Sequence, residues 1–158
     1  MRSKTAPKRK FAEDKKYKSV KVSRLIGRAM RDGKKSVATA QVYLALEKLS
    51  EATGKKPLEA FEIVMRNIMP QMEVRSRRVG GAAYQIPVPV KGGRGFSLTT
   101  RWLVLEANKR SNKENHSFAE KLAAEMIDAY NGVGRAVERK NASHKMADAN
   151  KAFAHFRW

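Results

Sequence analysis

The chain has 158 residues, with 34 Lys plus Arg against 15 Asp plus Glu, giving a formal net charge of +19 and a pI of about 10.5. That length predicts one domain, and 42% hydrophobic residues supply enough apolar material for a core, which argues against global disorder. So large a cationic excess predicts a polyanionic partner, and the absence of cysteine excludes disulfide scaffolds, thiolate zinc sites and cysteine nucleophiles.

No apolar run approaches the roughly 18 residues of a membrane span, so no membrane partner is expected. The start, Met1-Arg2-Ser3-Lys4-Thr5, has no apolar stretch behind it, unlike a secretory signal. Early Glu13 and Asp14 in a Lys-rich setting argue against an organelle transit peptide. The charge is unevenly spread. Residues 1–35 carry 14 basic and 3 acidic side chains, residues 36–73 carry 4 and 5, residues 74–101 carry 6 and none, and residues 102–158 carry 10 and 7. Solvated faces usually mix both signs, so the near-neutral stretch reads as scaffold and the two strongly basic ones as contact surface.

In chain order, residues 1–18 lack periodic apolar positions and read as a flexible basic arm that orders on its partner. Ser19 or Ser23 is the candidate N-cap of a short helix with Leu25, Ile26, Ala29 and Met30 on its apolar side. Arg24, Arg28 and Arg31, four and three apart, are expected on one face, with Asp32-Gly33 ending the helix and Lys34-Lys35 in the turn. Ala38, Val42, Ala45 and Leu49 predict a second helix over about Ser36–Ala52, its apolar face widened by Val37, Leu44 and Leu46 and stopped by Gly54. Pro57 opens a third, with Leu58, Phe61, Met65 and Ile68 inward.

The period then becomes two. Residues 72–79 and 82–90 flank Gly80-Gly81, a hairpin signal, because a tight turn needs φ > 0. Pairing outward sets Arg77 opposite Tyr84 and Arg75 opposite Ile86, with Ser76, Arg78, Ala83 and Gln85 on the other face. A free ribbon with arginines on both faces is marginal, so its tip is expected to project and meet nucleic acid. Arginine forks suit phosphates and the Tyr84 ring an unpaired base. Residues 91–95 read as a flexible basic linker before a helix over Phe96–Arg110, with Leu98, Trp102 and Leu105 inward and Arg101 and Lys109 outward. Ser117-Phe118-Ala119-Glu120 predicts a capping box on a helix lined by Phe118, Leu122, Met126 and Ala129, ended by Asn131-Gly132. The last helix, starting between Arg135 and Asn141, is expected to carry one stripe of Ala142, Met146, Ala149, Phe153 and Phe156.

Catalytic chemistry finds little support. His144 and His155 lie eleven residues apart, about 16 Å along a straight helix, too far for one ion to bridge, so no metal site is expected. Gly132-Val133-Gly134 and Gly92-Gly93 lack the Lys-Ser/Thr pair or third glycine of a phosphate loop, and no nucleophile–base arrangement or cofactor motif stands out. The chain reads as a non-enzyme without cofactors. A basic DNA-binding architectural protein shares the charge but should prefer duplex DNA, and an RNA-modifying enzyme would need a cofactor motif.

The run Met72-Glu73-Val74-Arg75-Ser76-Arg77-Arg78-Val79-Gly80-Gly81-Ala82-Ala83-Tyr84-Gln85-Ile86-Pro87-Val88 resembles the signature of the S-seven family of small-subunit ribosomal proteins, bacterial type. Residues 30–35, Arg101-Trp102-Leu103 and residues 146–158 resemble the same family, in the same order. The resemblance implies a mainly α fold, a bundle of about six helices with one projecting two-stranded β-ribbon and a basic N-terminal arm. In this chain the arm would be residues 1–18 and the single helical RNA-binding domain 19–158, with the ribbon at 72–90. It implies a primary binder of small-subunit ribosomal RNA that nucleates the subunit head at the 3′ major domain, near the exit-site tRNA and the messenger path. It further implies neighbouring small-subunit ribosomal proteins as partners, a cytoplasmic rather than organellar ribosome, and no stable homo-oligomer. Carried over by position, the rRNA candidates are Arg2, Lys4, Lys8, Arg9 and Lys10 of the arm, Arg24, Arg28, Arg31, Lys34 and Lys35, the ribbon's Arg75, Arg77, Arg78 and Tyr84, and Arg94, Arg101 and Lys109. Arg78, Gly81, Ala83 and Ser143 are the tRNA-side candidates, and His155, Arg157 and Trp158 the protein-contact ones.

Overall fold

The computed structural model describes residues 11–156; the arm residues Arg2, Lys4, Lys8, Arg9 and Lys10, and the terminal Arg157 and Trp158, lie outside them. Within the expected arm, residues 14–18 form an anchored turn. The Asp14 carboxylate accepts the backbone N–H groups of Lys16 (3.1 Å) and Tyr17 (3.0 Å) and the Tyr43 hydroxyl (2.7 Å). Tyr17 and Tyr43 meet edge to face with centroids 5.5 Å apart. An Asx turn thus pins residues 14–17 to the second helix.

Helix α1 spans Val20–Ala29 and buries Val22, Leu25 and Ile26. It ends one turn before Gly33, because Asp32 (φ 51°) and Gly33 (φ 73°) turn the chain sharply into α2. Arg31 thus leaves the face it was expected to share with Arg24 and Arg28, and Met30 is exposed. Helix α2, Lys35–Thr53, buries Ala38, Val42, Ala45, Leu46 and Leu49 and stops at Gly54 in the left-handed region. Val37 and Leu44 fall outside the stripe and face solvent, correcting the wider apolar face. Helix α3, Pro57–Ile68, has its proline in the first turn, where no N–H is needed, and buries Ala60, Phe61, Val64, Met65 and Ile68.

Strands β1 (Met72–Val79) and β2 (Ala82–Pro89) pair antiparallel in the expected register, Arg77 with Tyr84 and Arg75 with Ile86. Gly80 and Gly81 both have positive φ, as a two-residue hairpin turn requires. The ribbon is not bare. Glu73, Ile86 and Pro87 are buried at its base, and Tyr84 packs on Phe153 and Phe156.

Helix α4, Gly92–Lys109, begins inside the expected linker. Gly95 packs closely there: a Cβ would sit 3.3 Å from Met69 Cγ, so that side chain would have to give by a few tenths of an ångström. The inner side of α4 is Phe96, Thr99, Thr100, Leu103, Val104 and Ala107, with Trp102 packed against the core as expected, whereas Leu98 is only half-buried and Leu105 is exposed, which corrects that part of the predicted face. The two threonines can be buried because their hydroxyls donate to the Gly95 and Phe96 carbonyls at 2.9 and 3.0 Å. Helix α5, Phe118–Tyr130, carries the full capping box of Ser117 and Glu120.

Helix α6, Arg135–Ala149, buries Ala136, Val137 and Ala147. Ala142, Met146 and Ala149 are exposed, so the expected single stripe does not exist. The chain tightens into a 3-10 helix at Lys151–Phe156, which rotates Phe153 and Phe156 onto the ribbon instead. The core lies among α1 to α5 and takes in Ala136 and Val137 from the start of α6, with α2 packed on α5, α3 and α1, and α6 joining α4 to the ribbon. Among the described residues, no buried side-chain nitrogen or oxygen lacks a hydrogen-bond partner, and no helix is long and apolar enough to cross a membrane.

Candidate nucleic-acid interface

Helices α1 and α4 meet over a cleft of about 500 Å³ lined by Phe11, Arg24, Arg28, Lys35, Ser97 and Thr100. Arg28 and Lys35 are exposed there. Arg24 is held between rings, with its guanidinium carbon 4.3 Å from the Phe96 centroid and 5.4 Å from that of Phe11, so part of its reach is spent inside the protein. Arg94, Ser97 and Arg101 follow at three and four residues on the outer side of α4, extending the cleft's rim. Arg31 and Lys34 flank the turn, on a separate cleft of about 210 Å³ with Gln41, Asn108 and Phe118. Lys109 sits at the far end of α4, 3.3 Å from the buried Glu106, which also pairs with Arg139 of α6.

On the ribbon, the two faces differ. Ser76, Arg78, Ala83 and Gln85 are all exposed on one, with Gly81 at the tip. The other carries Arg75, Arg77 and Tyr84. The Tyr84 ring lies 5.3 Å from Phe153 and 5.4 Å from Phe156, so protein covers part of the ring expected to stack on a base and leaves the rest exposed. Arg77 donates to the Phe156 carbonyl at 3.3 Å. Arg75 and Arg94 converge on Glu73: Arg75 Nε and Arg94 Nε both donate to Oε1 at 2.7 Å, and Arg94 Nε lies 2.5 Å from Oε2. Burial pushes the Glu73 carboxyl up, but the hydrogen bonds and charges of Arg94 and Arg75 outweigh it and hold it below the ordinary carboxylate range.

Ser143 is half-buried, and its hydroxyl donates to the Met72 carbonyl at 3.1 Å, tying α6 to the ribbon base. One residue on, His144 Nε2 accepts the Gln71 N–H at 3.0 Å. His155 is exposed, with Nδ1 2.9 Å from the Ala152 carbonyl oxygen. The structure thus gathers Arg24 and Arg28 of α1, Lys35 at the start of α2, and Arg94 and Arg101 of α4, and links them to Arg75 through Glu73. It sets Arg78, Gly81 and Ala83 together at the ribbon tip, and leaves Arg31, Lys34 and Lys109 apart. Sequence reasoning missed Glu73 and the aromatic clamp of Phe153 and Phe156. Glu73 had one signal: it stands two residues before Arg75, on the same strand face, at the edge of the acid-free stretch.

Comparison with known proteins gives this surface its setting. The family described as "Ribosomal protein S7p/S5e" matches residues 1–151. The chain is 51% identical over 158 residues to the small ribosomal subunit protein uS7 of Lactococcus lactis subsp. cremoris, covering 100% of both. It is 49% identical over 157 residues to the protein of that name from Treponema denticola, covering 99% of each. It is 53% identical over 152 residues to that of Caldanaerobacter subterraneus subsp. tengcongensis, covering 96% of each. With the family matched over nearly the whole sequence and relatives about half identical along their full length, the chain belongs to the ribosomal protein S7p/S5e family.

Proposed function

We propose that this small-subunit ribosomal protein is a primary binder of ribosomal RNA that nucleates the head of the subunit at the 3′ major domain, with the ribbon tip beside the exit-site tRNA and the messenger path. The α1–α4 rim and the exposed ribbon face take phosphates and set the register. RNA shape at a junction then supplies the specificity, since duplex RNA hides its base edges. The C-terminal segment, with His155, Arg157 and Trp158, meets neighbouring ribosomal proteins. No step of this function requires bond-making chemistry: the family is structural, and the protein works by neutralising charge and fixing geometry.

One observation carries this reading. Arg28, Arg78 and Arg101 are exposed and have no acidic partner among the described residues, whereas Lys16, Lys21 and Lys48 each pair with a glutamate. Free, forward-facing guanidiniums are what a phosphate backbone recruits. The test is the Arg28→Ala/Arg101→Ala double variant on a transcript of the 3′ major domain. Log K against log salt should become shallower by about 1.4–1.8, two contacts at roughly 0.7–0.9 each. The unfolding temperature should stay within about 2 °C, since exposed substitutions cost little. An unchanged slope defeats the rim as the RNA site. The tRNA placement is tested by Ala83→Cys, the sole thiol in a cysteine-free chain, alkylated with a maleimide-linked aryl azide before assembly into ribosomes; on illumination, with loss of N2, the nitrene should crosslink to exit-site tRNA.

A further inference from the structure

Glu73 is the acid at the threshold of the most basic stretch of the ribbon and α4. Its side chain is 8% exposed, beneath guanidiniums that are 57% (Arg75) and 51% (Arg94) exposed. Arg75 comes from the same strand face and Arg94 from the first turn of α4, so two elements aim their forks at one carboxylate. Arg75 binds it through Nε (2.7 Å) and Nη2 (2.6 Å), and Arg94 through Nε. The trio carries a net charge of one, not two, and its forks are fixed by a common anchor.

The consequence is asymmetric between RNAs. A free arginine strengthens binding to any phosphate, which raises affinity without selectivity. An arginine already paired gains little from a stray phosphate, because the carboxylate below repels it and holds the fork's Nε edge. Only a phosphate carried to that spot by the rest of a docked RNA recovers the contact. Lowering the affinity for wrong partners is as effective as raising it for the right one. We propose that Glu73 is a specificity-determining residue that masks Arg75 and Arg94 against indiscriminate RNA binding while keeping them placed for the cognate junction. This rests on the rRNA-binding reading above.

Glu73→Gln keeps the shape and removes the charge. The full-length protein is titrated with a 3′ major-domain transcript and with a uridine homopolymer across a salt series. Homopolymer affinity should rise, and its log K against log salt should steepen by about 0.7–1.4, one or two uncovered cations at roughly 0.7 each on a single strand. Junction affinity should rise less or fall, so the ratio of the two drops several-fold. Equal changes on both RNAs, or none, overturn the proposal. Where Glu73→Gln fails to fold, Arg94→Gln and Arg101→Gln decide it on the homopolymer. The unmasked Arg101 should cost about 0.7 of slope and the masked Arg94 clearly less, whereas equal losses overturn the masking. A wild-type protein with no preference for the junction defeats the rRNA-site reading instead, and the comparison of Arg94 with Arg101 still judges the masking alone.

Discussion

Single carboxylates do much of the structural work in this cationic chain. Glu73, Glu106 and Glu125 are all buried, and each holds cations from elsewhere in the sequence: Arg75 and Arg94, Lys109 and Arg139, and Arg110. Glu125 also accepts the Ala136 N–H at 2.8 Å, fastening the start of α6. Glu120 works at the surface and is the most strongly perturbed of the acids. The Ser117 N–H of the capping box, then the Lys48 ammonium, then the His116 N–H hold its pKa down to about 2, against the smaller opposing effect of burial. A carboxyl depressed in the folded state stabilises above its ordinary pKa near 4.5, and that contribution is lost as pH falls towards 2. Glu120→Gln should therefore be less stable than wild type at neutral pH, and the gap between their urea midpoints should close between about pH 4.5 and 2. A gap independent of pH would mean that the charge of Glu120 is not what stabilises the N-terminus of α5. Of these acids, Glu120 was fully legible beforehand, because its capping partner is three residues away, whereas Glu73 and Glu106 offered only their near neighbours Arg75 and Lys109. Glu73, Glu106 and Glu125 take partners 21, 33 and 15 residues distant, which no local spacing reveals.

Among the elements, the ribbon shows how far local pattern reaches. Its register follows from two glycines and a period of two, and both could be read directly. What covers it could not. The spacing of Ala142, Met146, Ala149, Phe153 and Phe156 fits one helix stripe, but α6 ends at Ala149 and the 3-10 turn redirects the two phenylalanines onto Tyr84. The α4 face was misread for a related reason. Thr99 and Thr100 satisfy their hydroxyls on their own helix and bury as if apolar, leaving Leu105 outside. On the proposed RNA-binding reading, the clamp divides the labour: Tyr84, Phe153 and Phe156 pack together and hold the ribbon, and the exposed Arg78 is left for the RNA. Phe153→Ala should lower stability by about 1–2 kcal/mol, since the ring is half-buried, and should raise amide exchange in residues 82–86. RNA affinity should fall through preorganisation with its salt slope intact, because no phosphate contact is lost. A shallower slope would show that the 3-10 helix itself touches the backbone of the RNA.

Across the whole molecule, a net charge of +19 rests on a core built from α1 to α6. The buried acids neutralise cations where helices and ribbon join, which leaves the exposed cations on the α1–α4 rim and the ribbon tip largely to repel one another. Self-repulsion of that kind destabilises the isolated protein, and a polyanion relieves it. Salt relieves it as well, as the screening length falls from about 10 Å at 0.1 M towards 3 Å at 1 M. The same salt weakens RNA binding, because counterions compete for the phosphates. One variable should thus move two measurements in opposite directions. Raising sodium chloride from about 0.05 to 0.5 M should increase the unfolding temperature of the free protein while its affinity for the 3′ major-domain transcript falls by orders of magnitude. A protein held together mainly by its exposed ion pairs, such as Lys21 with Glu62, would instead melt earlier as salt rises. Calorimetry and titration in the same buffers separate the two, and a falling unfolding temperature would place the dominant electrostatics inside the globule rather than between it and RNA.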